Sequence, residues 1–121
     1  MINYNINNCK IILIGSSYVG KTSIIESFVY NSNNDVNLES SKGLCFYAKD
    51  LYIKNCNLLI NFDLWDTASI NSLHSLNKMF FRKINIIILV YSIDDITTLE
   101  EIKNYYNNEL KDYCCSNTGI N

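Results

Sequence analysis

Apolar positions along this chain follow two rhythms, and the places where one gives way to the other mark its elements. Lys10-Ile11-Ile12-Leu13-Ile14 is a short β-branched run that reads as a buried strand. Ile24, Ile25, Phe28 and Val29 then fall at i, i+1, i+4 and i+5, one side of a helix running from about Lys21 to Tyr30. Asn31-Ser32-Asn33-Asn34-Asp35 opens a polar loop that extends to Lys42. Cys45 to Ile53 and Asn57 to Trp65 read as strands, and the turn-prone Lys54-Asn55-Cys56-Asn57 between them predicts an antiparallel hairpin. Leu58, Ile60, Phe62 and Leu64 share one face of the second strand. Leu73, Leu76, Phe80 and Phe81 suggest a short helix up to Arg82. Ile84 to Tyr91 is apolar on both faces, the pattern of a central parallel strand. Thr97-Thr98-Leu99-Glu100-Glu101 reads as a capped helix start with acids in its first turn, the helix continuing through Tyr105-Tyr106 towards Tyr113. Strands alternating with helices predict an α/β fold whose sheet is mostly parallel, with one antiparallel hairpin strand.

The first strand and first helix enclose a motif. Gly15-Ser16-Ser17-Tyr18-Val19-Gly20-Lys21-Thr22 is a complete G-x-x-x-x-G-K-[ST] phosphate loop. In that context the backbone N–H groups of Gly15 to Thr22 converge on the α- and β-phosphates of a nucleotide. Lys21 can reach the β- and γ-phosphates, and the Thr22 hydroxyl can ligate Mg²⁺. Asp66 closes the apolar strand Leu58–Leu64, where a carboxylate facing that Mg²⁺ belongs.

Composition narrows the partners. The 121 residues are 48% hydrophobic and 18% charged, enough for one domain, read as spanning 1–121, with a real core. A net charge of −2 gives no electrostatic case for nucleic acid or an anionic membrane. Asn and Ile are heavily used and Pro is absent, which reads as compositional drift. The five cysteines (Cys9, Cys45, Cys56, Cys114, Cys115) show no C-x-x-C spacing, so a reduced cytoplasmic protein is expected. No leader pattern follows Met1, and no apolar run is long enough to span a bilayer.

On these motifs the chain resembles a small GTPase of the Ras superfamily and, within it, a Rab. Gly15–Thr22 matches the family's phosphate loop, with a Rab-like Ser17, and Trp65-Asp66-Thr67-Ala68 matches the opening of its second switch. Leu73-His74-Ser75-Leu76 and Phe80-Phe81-Arg82 stand where Rabs carry their switch-two aromatic pair and Arg. Leu89-Val90-Tyr91-Ser92-Ile93-Asp94 matches the fourth strand, and Gly43-Leu44-Cys45-Phe46 resembles the segment after switch one. The resemblance implies a P-loop NTPase fold, GTP or GDP held with Mg²⁺, and a role in vesicle traffic at endomembranes. It also implies effector and regulator proteins reading Phe46, Trp65 and Phe80. His74, the only histidine, reads as solvent-exposed in the second switch rather than catalytic.

Four departures temper that inheritance. The family's switch-one Thr, a ligand to Mg²⁺ and the γ-phosphate, is Ser41 here, still a hydroxyl; the preceding loop is one residue longer, so Ser40 is an alternative. The invariant Gly after Asp-Thr-Ala is Ser69, which keeps the backbone N–H that meets the γ-phosphate but stiffens the hinge. The water-positioning Gln is Ile70, which cannot hydrogen-bond a water, so hydrolysis should be weak and no catalytic residue is assigned. Tyr18 replaces a small residue, usually Gly; if φ is positive there, Tyr costs about 1–2 kcal/mol.

The family continues past the third helix with a fifth strand ending in Asn-Lys-x-Asp, which selects guanine, and a sixth strand with a Ser-Ala-Lys loop. Neither motif occurs before Asn121. Nor is there a terminal prenylation signal, since six residues follow Cys114-Cys115. A domain incomplete on its C-terminal side, spanning two-thirds of the family's, is therefore expected, with Ile86–Tyr91 left as a sheet edge. Three readings stand: a Rab-like switch, a pseudo-GTPase scaffold that turns nothing over, and a non-functional fragment lacking base recognition.

Overall fold

A short β-branched run, a glycine loop and an amphipathic helix dictate the first turn of the fold, and the rest of the sheet assembles on that unit. The computed structural model describes residues 5–30, 37–41, 44–67 and 81–117. Its elements are β1 (Asn5–Ile14), α1 (Lys21–Tyr30), β2 (Asn37–Ser41), β3 (Leu44–Ile53), β4 (Leu58–Asp66), β5 (Ile86–Leu89), α2 (Ile96–Tyr105) and α3 (Lys111–Asn117). A π turn over Tyr106–Leu110 joins α2 to α3. The strands form one sheet in the order β2-β3-β4-β1-β5. β4, β1 and β5 run parallel, while β3 pairs antiparallel with both β4 and β2. This is the P-loop NTPase arrangement expected from the sequence.

Alternation along the strands sorts the core into two layers. Ile11 and Leu13 of β1 pack with Leu64, Tyr47, Ile25 and Val29 on the α1 side. Ile12 and Ile14 pack with Leu44, Phe81, Ile102, Tyr105 and Leu110 on the other. Tyr47 and Tyr105 lie in these layers at 4% and 2% exposure. Burial above all pushes both phenols up to about 12, with the Asp66 charge adding for Tyr47 and Glu109 for Tyr105. An unfolded tyrosine loses its proton at about pH 10. Between about pH 10 and 12 the native state therefore binds more protons than the unfolded one, and stability falls as pH rises. We expect a loss of roughly 2–3 kcal/mol per phenol across that window. Denaturant midpoints should drop within that window.

The hairpin forms as predicted, its turn a 3₁₀ segment Lys54–Cys56 followed by Asn57 at φ 50°, ψ 47°. Asn tolerates this left-handed region, and the Tyr52 hydroxyl steadies it by donating to Asn57 Oδ1 at 2.8 Å.

Three expectations need correction. Asn37–Ser41, read as part of a polar loop, is a strand. Its polar sequence has no apolar face to reveal it, and backbone pairing with β3 at the sheet edge makes it a strand. Second, β5 is shorter than Ile84–Tyr91; it lies at the other edge, as expected for Ile86–Tyr91 and not in the central place its apolar pattern alone suggests, with Ile86 44% and Ile88 38% exposed. Third, the cap of α2 is Asp95, whose carboxylate accepts from the Thr97 N–H at 3.0 Å; Glu100 and Glu101 fall after the first turn. Of the predicted helix up to Arg82, the part from Leu73 to Phe80 lies outside the described residues; Phe81 is buried and Arg82 exposed.

Candidate functional site: the phosphate loop

The site lies at the carboxyl ends of β1 and β4, where α1 begins. The chain leaves β1 at Ile14 and turns through Gly15–Gly20; Gly20 O then accepts from the Ile24 N–H at 3.0 Å, opening α1. The loop depends on its two glycines for different reasons. A Cβ on Gly15 would stand 2.3 Å from the Val90 carbonyl oxygen, so only glycine lets β1 exit against the end of β5. Gly20 has open space around it but φ +103°, a conformation that L side chains rarely adopt.

Lys21 is 3% exposed. Its Nζ donates to Gly15 O at 2.8 Å and Ser16 O at 2.7 Å. An ammonium has three N–H donors, so two hold the lysine against the loop and one remains. Burial pulls the Lys21 ammonium below its usual value of 10.5, and the Asp66 carboxylate opposes that pull.

Thr22 and Asp66 meet: Thr22 Oγ1 donates to Asp66 Oδ2 at 2.5 Å. The meeting follows from strand periodicity, because Asp66 continues the Phe62–Leu64 face, which packs on α1. Thr67, buried next door, pins the end of β4 to β1 by donating to Leu13 O at 2.8 Å. A hydroxyl and a carboxylate, both hard oxygen donors, suit Mg²⁺, which takes a few protein oxygens and completes its shell with phosphate and water.

Tyr18 has φ 65° and a fully exposed side chain. Its ring gives up no packing on removal, while left-handed backbone costs a non-glycine about 1–2 kcal/mol. Tyr18→Gly should therefore stabilise the fold by roughly 0.5–1 kcal/mol, after the greater freedom glycine gives the unfolded chain. A denaturant titration that shows a loss would mean the ring is engaged.

Of the remaining candidates, Ser41 lies in β2, opposite Leu44 of β3. Ser69, Ile70, His74 and Phe80 fall outside the described residues. Phe46 and Trp65 are cross-strand partners with ring centroids 4.9 Å apart, on the sheet face away from α1. Lys10 Nζ stands 5.3 Å from the Trp65 ring.

Two further residues escaped the sequence reading. Glu101 accepts a hydrogen bond from the Ser16 hydroxyl, though its helix position suggested only a solvated acid. Lys49, 7% exposed, donates to the Phe28 carbonyl at the end of α1 and lies 4.1 Å from that residue's ring centre. Its signal was available: Lys49 follows Cys45 and Tyr47 at period 2, a charge on the inward face of a strand.

A strand–glycine loop–helix unit thus brings a buried lysine and a Thr–Asp pair together at the carboxyl ends of β1 and β4. A model of the Ras family matches residues 10–120, and the chain belongs to that family. It is 36% identical over 98 residues to the GTP-binding protein ypt5 of Schizosaccharomyces pombe, covering 81% of this chain and 46% of that protein. It is 33% identical over 108 residues to a probable Rab-related GTPase of Acanthamoeba polyphaga mimivirus, covering 89% and 49%. With human Ras-related protein Rab-21 it shares 33% over 96 residues, covering 79% and 41%. The chain thus spans somewhat less than half the length of these curated relatives. Among the described residues no helix is long and apolar enough to cross a membrane.

Proposed function

We propose that this chain binds GTP or GDP with Mg²⁺ as the phosphate-binding part of a Rab-like switch in vesicle traffic, peripheral to endomembranes. The observation that carries the reading is Thr22 joined to Asp66 beside a buried Lys21. Backbone N–H groups of Gly15–Thr22 would hold the phosphates, Lys21 would neutralise the β- and γ-oxygens, and Thr22, Asp66 and the Ser41 hydroxyl would hold the metal. Bound Mg²⁺ would draw charge from the β- and γ-phosphates. In this reading the Ser69 N–H would serve the γ-phosphate. Phe46, Trp65 and Phe80 offer effectors and regulators an aromatic surface.

Hydrolysis is weak in this reading, because Ile70 cannot orient the attacking water. A pseudo-GTPase scaffold is the second reading, and Ile70 with Ser69 favours it. Calorimetric titration with GDP should show uptake in Mg²⁺ that EDTA abolishes. Single-turnover GTP hydrolysis should run below roughly 10⁻⁴ s⁻¹ and rise about tenfold or more in Ile70→Gln. No GDP uptake would overturn nucleotide binding; an unchanged rate in Ile70→Gln would remove Ile70 from the water-positioning role.

A further inference from the structure

Ser16 is fastened at two points. Its carbonyl seats Lys21 Nζ at 2.7 Å, and its hydroxyl donates to Glu101 Oε2. Glu101 belongs to α2, a helix with little freedom where it meets the loop. Asp95 caps it, the Thr98 hydroxyl donates to Asp95 O at 2.7 Å, and the Ser92 N–H donates to Thr98 Oγ1 at 2.9 Å. Ile102, next to Glu101, is 4% exposed in the core. A fixed helix therefore presents a carboxylate to the loop, and the carboxylate sets the rotamer and orientation of Ser16. A hydroxyl-to-carboxylate bond is charge-assisted and stronger than a neutral one. The Ser16 carbonyl that accepts from Lys21 is then aimed from outside the loop.

We propose that Glu101 is a positioning residue for the phosphate loop, acting through the Ser16 hydroxyl on the carbonyl that seats Lys21. The proposal rests on the nucleotide-binding reading above. It makes α2 part of the site, although α2 contributes no group to the phosphates.

The test is GDP affinity in Mg²⁺ for the full chain and for Ser16→Ala, Glu101→Ala, Glu101→Gln and the double Ser16→Ala/Glu101→Ala, with Lys21→Ala as reference. Each alanine should weaken binding about five- to tenfold, less than loss of a direct charge-assisted contact, because the bond acts on Lys21 only through the Ser16 carbonyl. The double substitution should be no weaker than either single one, because both remove the same bond. Glu101→Gln keeps an acceptor for the hydroxyl and should recover most of the affinity. Additive losses, an unaffected Glu101→Ala, or a Glu101→Gln as weak as Glu101→Ala would each overturn the proposal. Should the wild type take up no GDP, the nucleotide reading fails, and amide hydrogen exchange over residues 16–20 decides the positioning claim. Exchange faster in Ser16→Ala and Glu101→Ala but not in Glu101→Gln supports it; equal exchange in all four proteins overturns it.

Discussion

Lys21→Ala should reduce affinity for Mg-nucleotide by at least an order of magnitude, and by two if both inner phosphates depend on it. A charge-assisted contact is worth roughly 1.5–3 kcal/mol, which is about 10- to 150-fold in binding. The same side chain ties Gly15 O and Ser16 O together, so its removal also loosens the frame that presents the loop amides. The two effects separate by experiment. Lys21→Arg keeps the charge but cannot fit a compact ammonium pocket, so it too should bind poorly. Calorimetric titration with GDP in Mg²⁺, beside a denaturant curve for each variant, reads both. Equal affinity for wild type and Lys21→Ala would remove the lysine from the site.

Gly15→Ala should be the most damaging small substitution in the loop. The added Cβ meets a backbone oxygen, Val90 O, at 2.3 Å, and Val19 Cγ2 at 3.0 Å. The oxygen cannot swing aside, because the Val90 N–H is held to Ile14 O at 2.8 Å. Overpacking of this kind costs about 3 kcal/mol, the upper part of its usual range. For a chain of this size that is a fall of roughly 10 °C in Tm. Gly20→Ala meets nothing and suffers only its dihedral angle. It should lose less stability, and a larger loss there than at Gly15 would reverse the assignment of space to one glycine and φ to the other.

The sequence announced most of the site because its parts depend on local chemistry. The loop from Gly15 to Thr22 is a contiguous motif, and Asp66 falls on the α1 face through simple alternation from Phe62 and Leu64. What stayed hidden depends on tertiary partners. Asn37–Ser41 has no apolar rhythm, since an edge strand paired by its backbone needs none. The Ile-rich run at β5 signalled burial on both faces, but burial on the outer side is a matter of which neighbour stands there, and β5 has only β1 among the described residues. Glu101 has the spacing of any solvated helix acid; only the packing of α2 brings it to Ser16. The cap of α2 was misjudged by two residues because Asp95 and Thr97 are both good caps, and Thr97 instead donates its hydroxyl to Asp95 Oδ1 at 2.6 Å.

The π turn between α2 and α3 carries a consequence for how this chain can vary. The Lys111 N–H reaches back five residues to Tyr106 O, so the turn holds one residue more than an α-helix would. Tyr105 and Leu110, five apart, both face the core because of it. Elsewhere in α2, losing a residue would rotate the inward stripe by about 100° and expose Ile102 or Tyr105. Between Tyr106 and Glu109 the same loss would only restore an ordinary helical turn, with Tyr105 and the leucine four apart and still inward. The stretch is a built-in slack of one residue, the point in this helix where length can drift without the core taking notice.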